Sequence, residues 1–155
     1  MAVNDWSETA LCTYTDVRSR YSRAGDLTGE SVTDDQNTEI TAVIVKAKAI
    51  ISKRLDDDLK RNYADAEFDN DLKDNIDNPE VFKEACVAFT LMLLFEENTI
   101  DPDDYSYRQL LKFQKEYEQF YNIGVNLINY DVDESGDIEN EEKSRASGRY
   151  RIARI

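Results

Sequence analysis

Residues 85 to 95 decide the fold and read Ala85-Cys86-Val87-Ala88-Phe89-Thr90-Leu91-Met92-Leu93-Leu94-Phe95. The stretch is apolar on nearly every side of a helix, which is typical of a helix covered by neighbours inside a bundle or at a subunit contact. It is about half as long as a membrane span. Asn78-Pro79-Glu80 precedes it and offers a capping side chain, a proline for the first helical position and an acid near the helix N-terminus. We therefore predict a helix from about residue 79 to about residue 98.

Two amphipathic helices are predicted on either side of this apolar one. The first should begin near Asp35 and lose its apolar pattern at Asp56. The second should begin at Asp101-Pro102-Asp103-Asp104, which repeats the start signal, and run to about Asn129, with Gly124 as a weak point. Both carry an inward stripe of apolar residues at steps of three and four. The stripes are Ile40, Ile44, Ala47, Ile51, Leu55 and Leu59 on the first helix, and Leu110, Phe113, Tyr117, Phe120, Tyr121, Val125 and Ile128 on the second.

The segments around these helices predict shorter pieces. Thr15 is expected to cap one or two helical turns before Gly25 and Gly29 break the pattern. Residues 63 to 77 are acidic and poor in apolar side chains, which predicts a loop with one short helical piece.

The predicted fold class is therefore all-α. Residues 1–130 should form an antiparallel bundle of three long helices plus a short N-terminal helix. An acidic loop at residues 131–142 and an extended, basic C-terminal tail at residues 143–155 should follow.

The charge of the chain is distributed unevenly. Thirty-three acidic and nineteen basic side chains leave a net charge of −14, which argues against a fold-wide surface for nucleic acid or anionic lipid. Residues 143–155 contain five basic side chains and no acid, so the tail carries +5 and the first 142 residues carry −19. This asymmetry is the most informative feature of the composition.

Several classes of chemistry are excluded by composition. The chain has no histidine, which removes imidazole-dependent triads and His-containing zinc sites, and two cysteines cannot form a thiolate zinc cluster. We expect no enzyme activity and assign no catalytic residue. Cys12 and Cys86 are far apart in sequence, so a buried free thiol in a reducing compartment is the simpler interpretation. The N-terminus lacks the features of an export signal, which favours a cytoplasmic origin.

The segment at residues 131–142 follows the spacing of an EF-hand calcium loop. Gly136 stands at the turn position, and Ile138 is the apolar residue of the eighth position. The oxygen ligands would be Asp131, Asp133, Ser135, Asp137 (through its carbonyl), Glu139 and Glu142. A structural Ca²⁺ ion is therefore a candidate cofactor, although none is required. The alternative interpretation is an acidic turn that ends the last helix, because EF-hands usually occur in pairs with a full exiting helix.

The C-terminal tail is the candidate partner-binding segment. Arginines alternate with Tyr150 and Ile152 near its end, a pattern that can order on a partner as an extended strand. The residues assigned to partner binding are Arg145, Arg149, Tyr150, Arg151, Ile152, Arg154 and Ile155. The alternatives are a disordered basic tail or a tail that folds back on its own acidic body. Trp6 is a further candidate as an interface anchor, since tryptophan is enriched at such sites.

This layout resembles the small head-tail connector proteins of tailed bacteriophages, also called adaptor or head-completion proteins. The matching features are Trp6, the Thr15-Asp16-Val17 turn, the first stripe, the apolar helix at residues 85–95 and a Tyr-rich last helix. They also include the ending Asp131-Val132-Asp133-Glu134-Ser135-Gly136-Asp137-Ile138, followed by Arg149-Tyr150-Arg151-Ile152-Ala153-Arg154. The chain shows no clear signal for the β-hairpin that some members insert.

The resemblance implies a structural virion protein at the head-tail interface, made in the host cytoplasm. Such proteins form a ring, typically of twelve copies, between the portal protein and the next tail component, with the C-terminal tail docked on the portal. The portal-binding role would fall on Arg149, Tyr150, Arg151, Ile152, Arg154 and Ile155. The ring would enclose the DNA channel without specific nucleic-acid binding, since an acidic wall repels phosphates, and no membrane is involved. Two other functions stay open: a calcium-binding interaction module using residues 131–142, and an acidic DNA-mimic inhibitor.

Overall fold

The computed structural model describes residues 6, 9–28, 38–62, 72–99, 101 and 104–128. These residues form four α-helices, which are α1 (Tyr14–Arg20), α2 (Thr38–Asn62), α3 (Lys83–Glu97) and α4 (Tyr105–Leu127). Short 3₁₀ turns lie at Ala24–Leu27, Leu72–Asn75 and Pro79–Phe82. The all-α prediction is confirmed for this part of the chain, where no strand is found. The predicted loop at residues 131–142 and the predicted tail at residues 143–155 lie outside it.

Helix α3 is the centre of the core, as its apolar sequence predicts. It packs against α4, α2 and α1. Its buried residues are Ala85, Cys86, Val87, Ala88, Phe89, Thr90, Leu91, Leu93, Leu94 and Phe95. Thr90 is the polar member of this set, and its hydroxyl donates a hydrogen bond of 2.8 Å to the carbonyl oxygen of Cys86. Because water does not reach this buried hydroxyl, its hydrogen bond is made to the backbone of the same helix.

The start of α3 differs from the prediction. Residues 79–82 form a 3₁₀ turn, and the α-helix begins only at Lys83. Asn78 makes no side-chain cap here, so the prediction that it caps the helix is wrong. Its amide nitrogen instead donates a hydrogen bond of 2.9 Å to the carbonyl oxygen of Leu127. The last carbonyls of a helix lack intrahelical partners, and Asn78 satisfies one at the end of α4.

Helix α2 carries the first predicted stripe, and all six stripe residues are buried. The helix continues past the acidic residues Asp56, Asp57 and Asp58 to Asn62. Asp57 is exposed, while Asp56 and Asp58 are half-buried; Asp56 pairs with Lys73, and Asp58 accepts a hydrogen bond from the hydroxyl of Tyr121. The polar run therefore does not end the helix, because its carboxylates flank the buried stripe and find partners on neighbouring elements.

Helix α4 begins at Tyr105, just after the second start signal, and its cap is Asp104, whereas the repeated pattern predicts Asp101 as the cap. The side chain of Asp104 accepts a hydrogen bond of 3.1 Å from the backbone N–H of Ser106. Most of the predicted stripe is buried, while Leu110 and Phe120 are only partly so. Gly124 is buried as well, and a Cβ atom at this position would stand 2.9 Å from the Phe82 ring and 3.0 Å from the Val81 carbonyl oxygen. The glycine therefore permits close packing of α4 against the 3₁₀ turn.

Trp6 belongs to the core. It is 1 % exposed, and its ring packs edge-on against Phe82 with 6.2 Å between ring centroids. Its indole N–H donates a hydrogen bond of 2.6 Å to the hydroxyl of Ser52, and its backbone N–H donates one of 3.0 Å to Asp74. Because both the ring and its N–H are satisfied inside the chain, the prediction that Trp6 anchors an interface is wrong.

The first turn of α1 is held by a capping box. The hydroxyl of Thr13 accepts a hydrogen bond from the backbone N–H of Asp16, and the Asp16 carboxylate accepts one from the backbone N–H of Thr13. The prediction placed the cap at Thr15, two residues too late. Asp16 also pairs with Lys83 at 2.7 Å, which ties α1 to α3. Burial raises the pKa of the Asp16 carboxyl, but hydrogen bonds from Lys83 and Thr13 outweigh it, so the pKa lies below its ordinary value.

Replacing Thr13 with alanine is expected to lower the free energy of unfolding by about 1 kcal/mol, because the substitution removes the hydroxyl that caps α1. Thr15→Ala is the matched control, since Thr15 is exposed and lies inside the helix. Urea denaturation followed by circular dichroism measures both variants. Equal losses for the two variants would contradict the assignment of the cap.

Candidate interaction surface

The residues predicted to bind a partner or a metal all lie outside the described part of the chain. They are Asp131, Asp133, Ser135, Asp137, Glu139, Glu142, Arg145, Arg149, Tyr150, Arg151, Ile152, Arg154 and Ile155. Their roles stay predictions. Among the described residues, no group of three or more carboxylates and thiols is placed to hold a metal ion.

Charge is nearly balanced over the described residues. They carry 16 acidic and 14 basic side chains, whereas the whole chain carries 33 and 19. The acidic excess of the first 142 residues therefore belongs mainly to other segments, such as residues 63–71 and 131–142. An acidic wall around a DNA channel would have to be supplied by these segments, because the helices carry both signs of charge.

Several carboxylates of the helices are held in ion pairs. Arg20 of α1 contacts Glu116 of α4 at 2.8 Å, and Lys73 contacts Asp56 of α2 at 3.1 Å. Such pairs connect separate elements and neutralise the carboxylates locally. A DNA mimic needs rows of unpaired carboxylates, so these pairs do not favour that function for the described helices.

Arg54 joins α2 to α4 through two kinds of contact. Its guanidinium donates two hydrogen bonds, of 2.9 and 2.8 Å, to the two carboxylate oxygens of Glu118. It also lies over the ring of Tyr121 at 3.9 Å and near that of Tyr117 at 5.3 Å. Burial lowers the pKa of Arg54, but hydrogen bonds with Glu118 and Tyr117 outweigh it, and the pKa lies above its ordinary value. The two parallel hydrogen bonds and the stacking of the guanidinium on the tyrosine rings fix α2 against α4.

Exposed apolar side chains lie on the outer faces of α2 and α4. They are Val45, Ile50, Tyr105, Leu111, Ile123 and Leu127. Ile123 and Leu127 are one helical turn apart and are 44 % and 56 % exposed, while Val45 on α2 is 63 % exposed. These residues fall between the stripe positions, so helical periodicity did not predict them. They are the large apolar side chains that the described helices leave exposed.

A groove separates residues 9–14 from α2. It has a volume of about 400 Å³, and its wall includes Cys12, Tyr14, Ile44 and Val45. The hydroxyl of Tyr14 is buried and has no hydrogen-bond partner among the described residues. The groove is apolar apart from a few side chains such as Lys48, and it opens beside the exposed Val45.

No protein-family model, curated protein or solved structure matches this chain. No helix of the described ranges combines the length and apolar character needed to cross a bilayer.

Proposed function

We propose that this chain is a structural virion protein, a head-tail connector of a tailed bacteriophage. In this proposal an antiparallel helical bundle assembles into a ring between the portal and the next tail component. The extended C-terminal tail docks on the portal. The protein is made in the host cytoplasm, has no enzymatic role, and acts only through contacts with other chains.

The observation that carries the proposal is the charge contrast between the tail and the rest of the chain. Residues 143–155 hold five basic side chains and no acid, while the first 142 residues hold an excess of 19 negative charges. Arg149, Arg151 and Arg154 alternate with Tyr150 and Ile152, so an extended tail can pair with carboxylates and fill apolar pockets together. A segment of this composition has too few apolar residues to fold by itself, and it becomes ordered when it binds a partner.

The helical body supports the proposal through its exposed apolar residues. A closed ring of identical subunits needs two different, complementary faces on each copy, because each subunit contacts its two neighbours head to tail. Val45 and Ile50 lie on α2, and Ile123 and Leu127 lie on α4. Apolar side chains on two separate helices are suited to such a pair of faces. Cross-helix ion pairs such as Arg54 with Glu118 keep the helices in fixed positions during assembly.

A chain that ends at Glu142 is expected to lose binding to the portal protein while its helices stay folded. The reason is that the truncation removes all five tail cations and leaves the described helices complete. Size-exclusion chromatography and electron microscopy of the protein mixed with purified portal protein measure the ring complex, and circular dichroism measures the helices. A matched variant, Arg149→Gln with Arg151→Gln and Arg154→Gln, keeps the tail length and should bind weakly. Equal portal binding by the truncated chain would exclude the tail from the docking role.

The second candidate function is a calcium-binding interaction module. The spacing of acidic and polar residues at 131–142 favours it, since that spacing offers the oxygen ligands calcium needs. Calorimetric titration with calcium separates the two functions. Heat of binding together with an added helical signal supports the module, and the absence of heat removes it.

A further inference from the structure

The two cysteines of the chain meet inside the core. They are separated by 74 positions in the sequence, yet their sulfur atoms lie 3.1 Å apart. Cys86 is fully buried in α3, and Cys12 is 5 % exposed in the irregular stretch that precedes the Thr13 cap. Their distance in the sequence predicted two independent thiols, and only the packing of α1 and its leading residues on α3 brings them together.

We propose that Cys12 and Cys86 are a site of reversible intramolecular disulfide formation. The sulfur atoms need to approach by about 1 Å to reach the covalent S–S length of about 2.05 Å. Cys12 lies outside any helix, so its backbone can supply that movement while α3 stays rigid. The inference does not depend on the proposed function, because it concerns only two residues inside the described chain.

The groove between residues 9–14 and α2 provides a route for an oxidant. Cys12 forms part of its wall, whereas Cys86 is 0 % exposed and does not line it. A small-molecule disulfide is the class of oxidant that fits, since only its S–S group and the adjoining carbon atoms need to enter the groove of about 400 Å³. Cys12 is therefore the attacking thiol and Cys86 the resolving thiol.

The reaction proceeds by two successive exchanges. The Cys12 thiolate attacks one sulfur of the small disulfide, forming a mixed disulfide and releasing one small thiolate. The Cys86 thiolate then attacks the Cys12 sulfur, forming the internal bond and releasing the second small thiolate. The two protons of the protein thiols end on the two released thiolates, and two electrons pass from the protein to the oxidant.

The surroundings of Cys12 make the first exchange slow at neutral pH. The hydrogen bond with Cys86, burial and nearby negative charge raise the pKa of the Cys12 thiol. Only the thiolate attacks a disulfide, so the bond should form faster at mildly alkaline pH. Once formed, the disulfide closes a long loop of the unfolded chain. A cross-link that closes a long loop is expected to stabilise the folded state the most.

Incubating the full-length protein with excess glutathione disulfide at mildly alkaline pH tests the site. We expect a monomer whose mass falls by two hydrogen atoms, with a peptide that joins Cys12 to Cys86 in mass spectrometry. The melting temperature should rise by roughly 10 °C and fall back to its original value after dithiothreitol treatment. A folded protein that keeps both thiols free, carries glutathione adducts instead, or forms only disulfides between chains would overturn the proposal.

Two single variants test the order of the exchanges. In Cys86→Ser, Cys12 has no resolving thiol and should accumulate the glutathione adduct. In Cys12→Ser, the fully buried Cys86 should stay unmodified while the protein is folded. Neither variant should show the reversible rise in melting temperature. A rise of the same size in either variant would contradict the disulfide as its cause.

Discussion

Replacing Phe82 with alanine is expected to lower the free energy of unfolding by about 3–5 kcal/mol. Phe82 is fully buried at the point where α3, α4 and the N-terminal segment meet. Its ring contacts those of Trp6 and Tyr121, with 6.2 and 5.8 Å between centroids, and also covers Gly124. Removing the ring leaves a cavity that rigid neighbours cannot fill, so the loss exceeds the transfer energy of the side chain alone.

Phe120→Ala is the matched control for this substitution. Phe120 is only partly buried on α4, where the guanidinium of Arg20 lies 5.6 Å from its ring centroid. The same chemical change should therefore cost less than half as much there, because less apolar surface is lost from the interior. Urea denaturation of both variants measures the difference. Comparable losses would mean that Phe82 is not at the centre of the packing.

Replacing Gly124 with alanine is expected to lower the free energy of unfolding by about 1–3 kcal/mol. An exposed helical glycine normally gains roughly 1 kcal/mol from this change, since alanine is the better helix former. Here the new Cβ would stand 2.9 Å from the Phe82 ring, which cannot move away because it is fully buried against other rings. The steric cost therefore exceeds the gain in helix propensity and reverses the usual sign.

Two further variants separate these contributions. Ala49→Gly, at an exposed position of α2, should lose about 1 kcal/mol and shows the ordinary propensity effect. In the Phe82→Ala background, Gly124→Ala should cost less than in the native chain, because the ring that it meets is gone. The contact with the Val81 carbonyl oxygen, at 3.0 Å, remains. An unchanged cost in the double variant would show that the Phe82 ring is not the obstacle.

Most of the local predictions were based on helical periodicity. The buried stripes of α2 and α4 and the apolar helix α3 follow from spacings of three and four along the chain, because an α-helix presents such residues on one face. The start at Asp104 also follows from local chemistry, since a cap involves neighbouring residues. Local rules failed at Thr15, because the nearby Thr13 supplies the cap, and at Asn78, because its amide donates to the carbonyl oxygen of Leu127 on α4 and does not cap a helix.

Local patterns along the chain were enough to predict the all-α class of the described helices, their buried faces and the separation of charge between the body and the tail. The contact of Cys12 with Cys86, the place of Trp6 in the core and the room that Gly124 leaves for Phe82 became visible only in the folded chain. The physical reason is range: helix formation and capping depend on residues a few positions apart. Contacts between distant segments depend on how whole helices pack, and no spacing along the chain encodes which faces will meet.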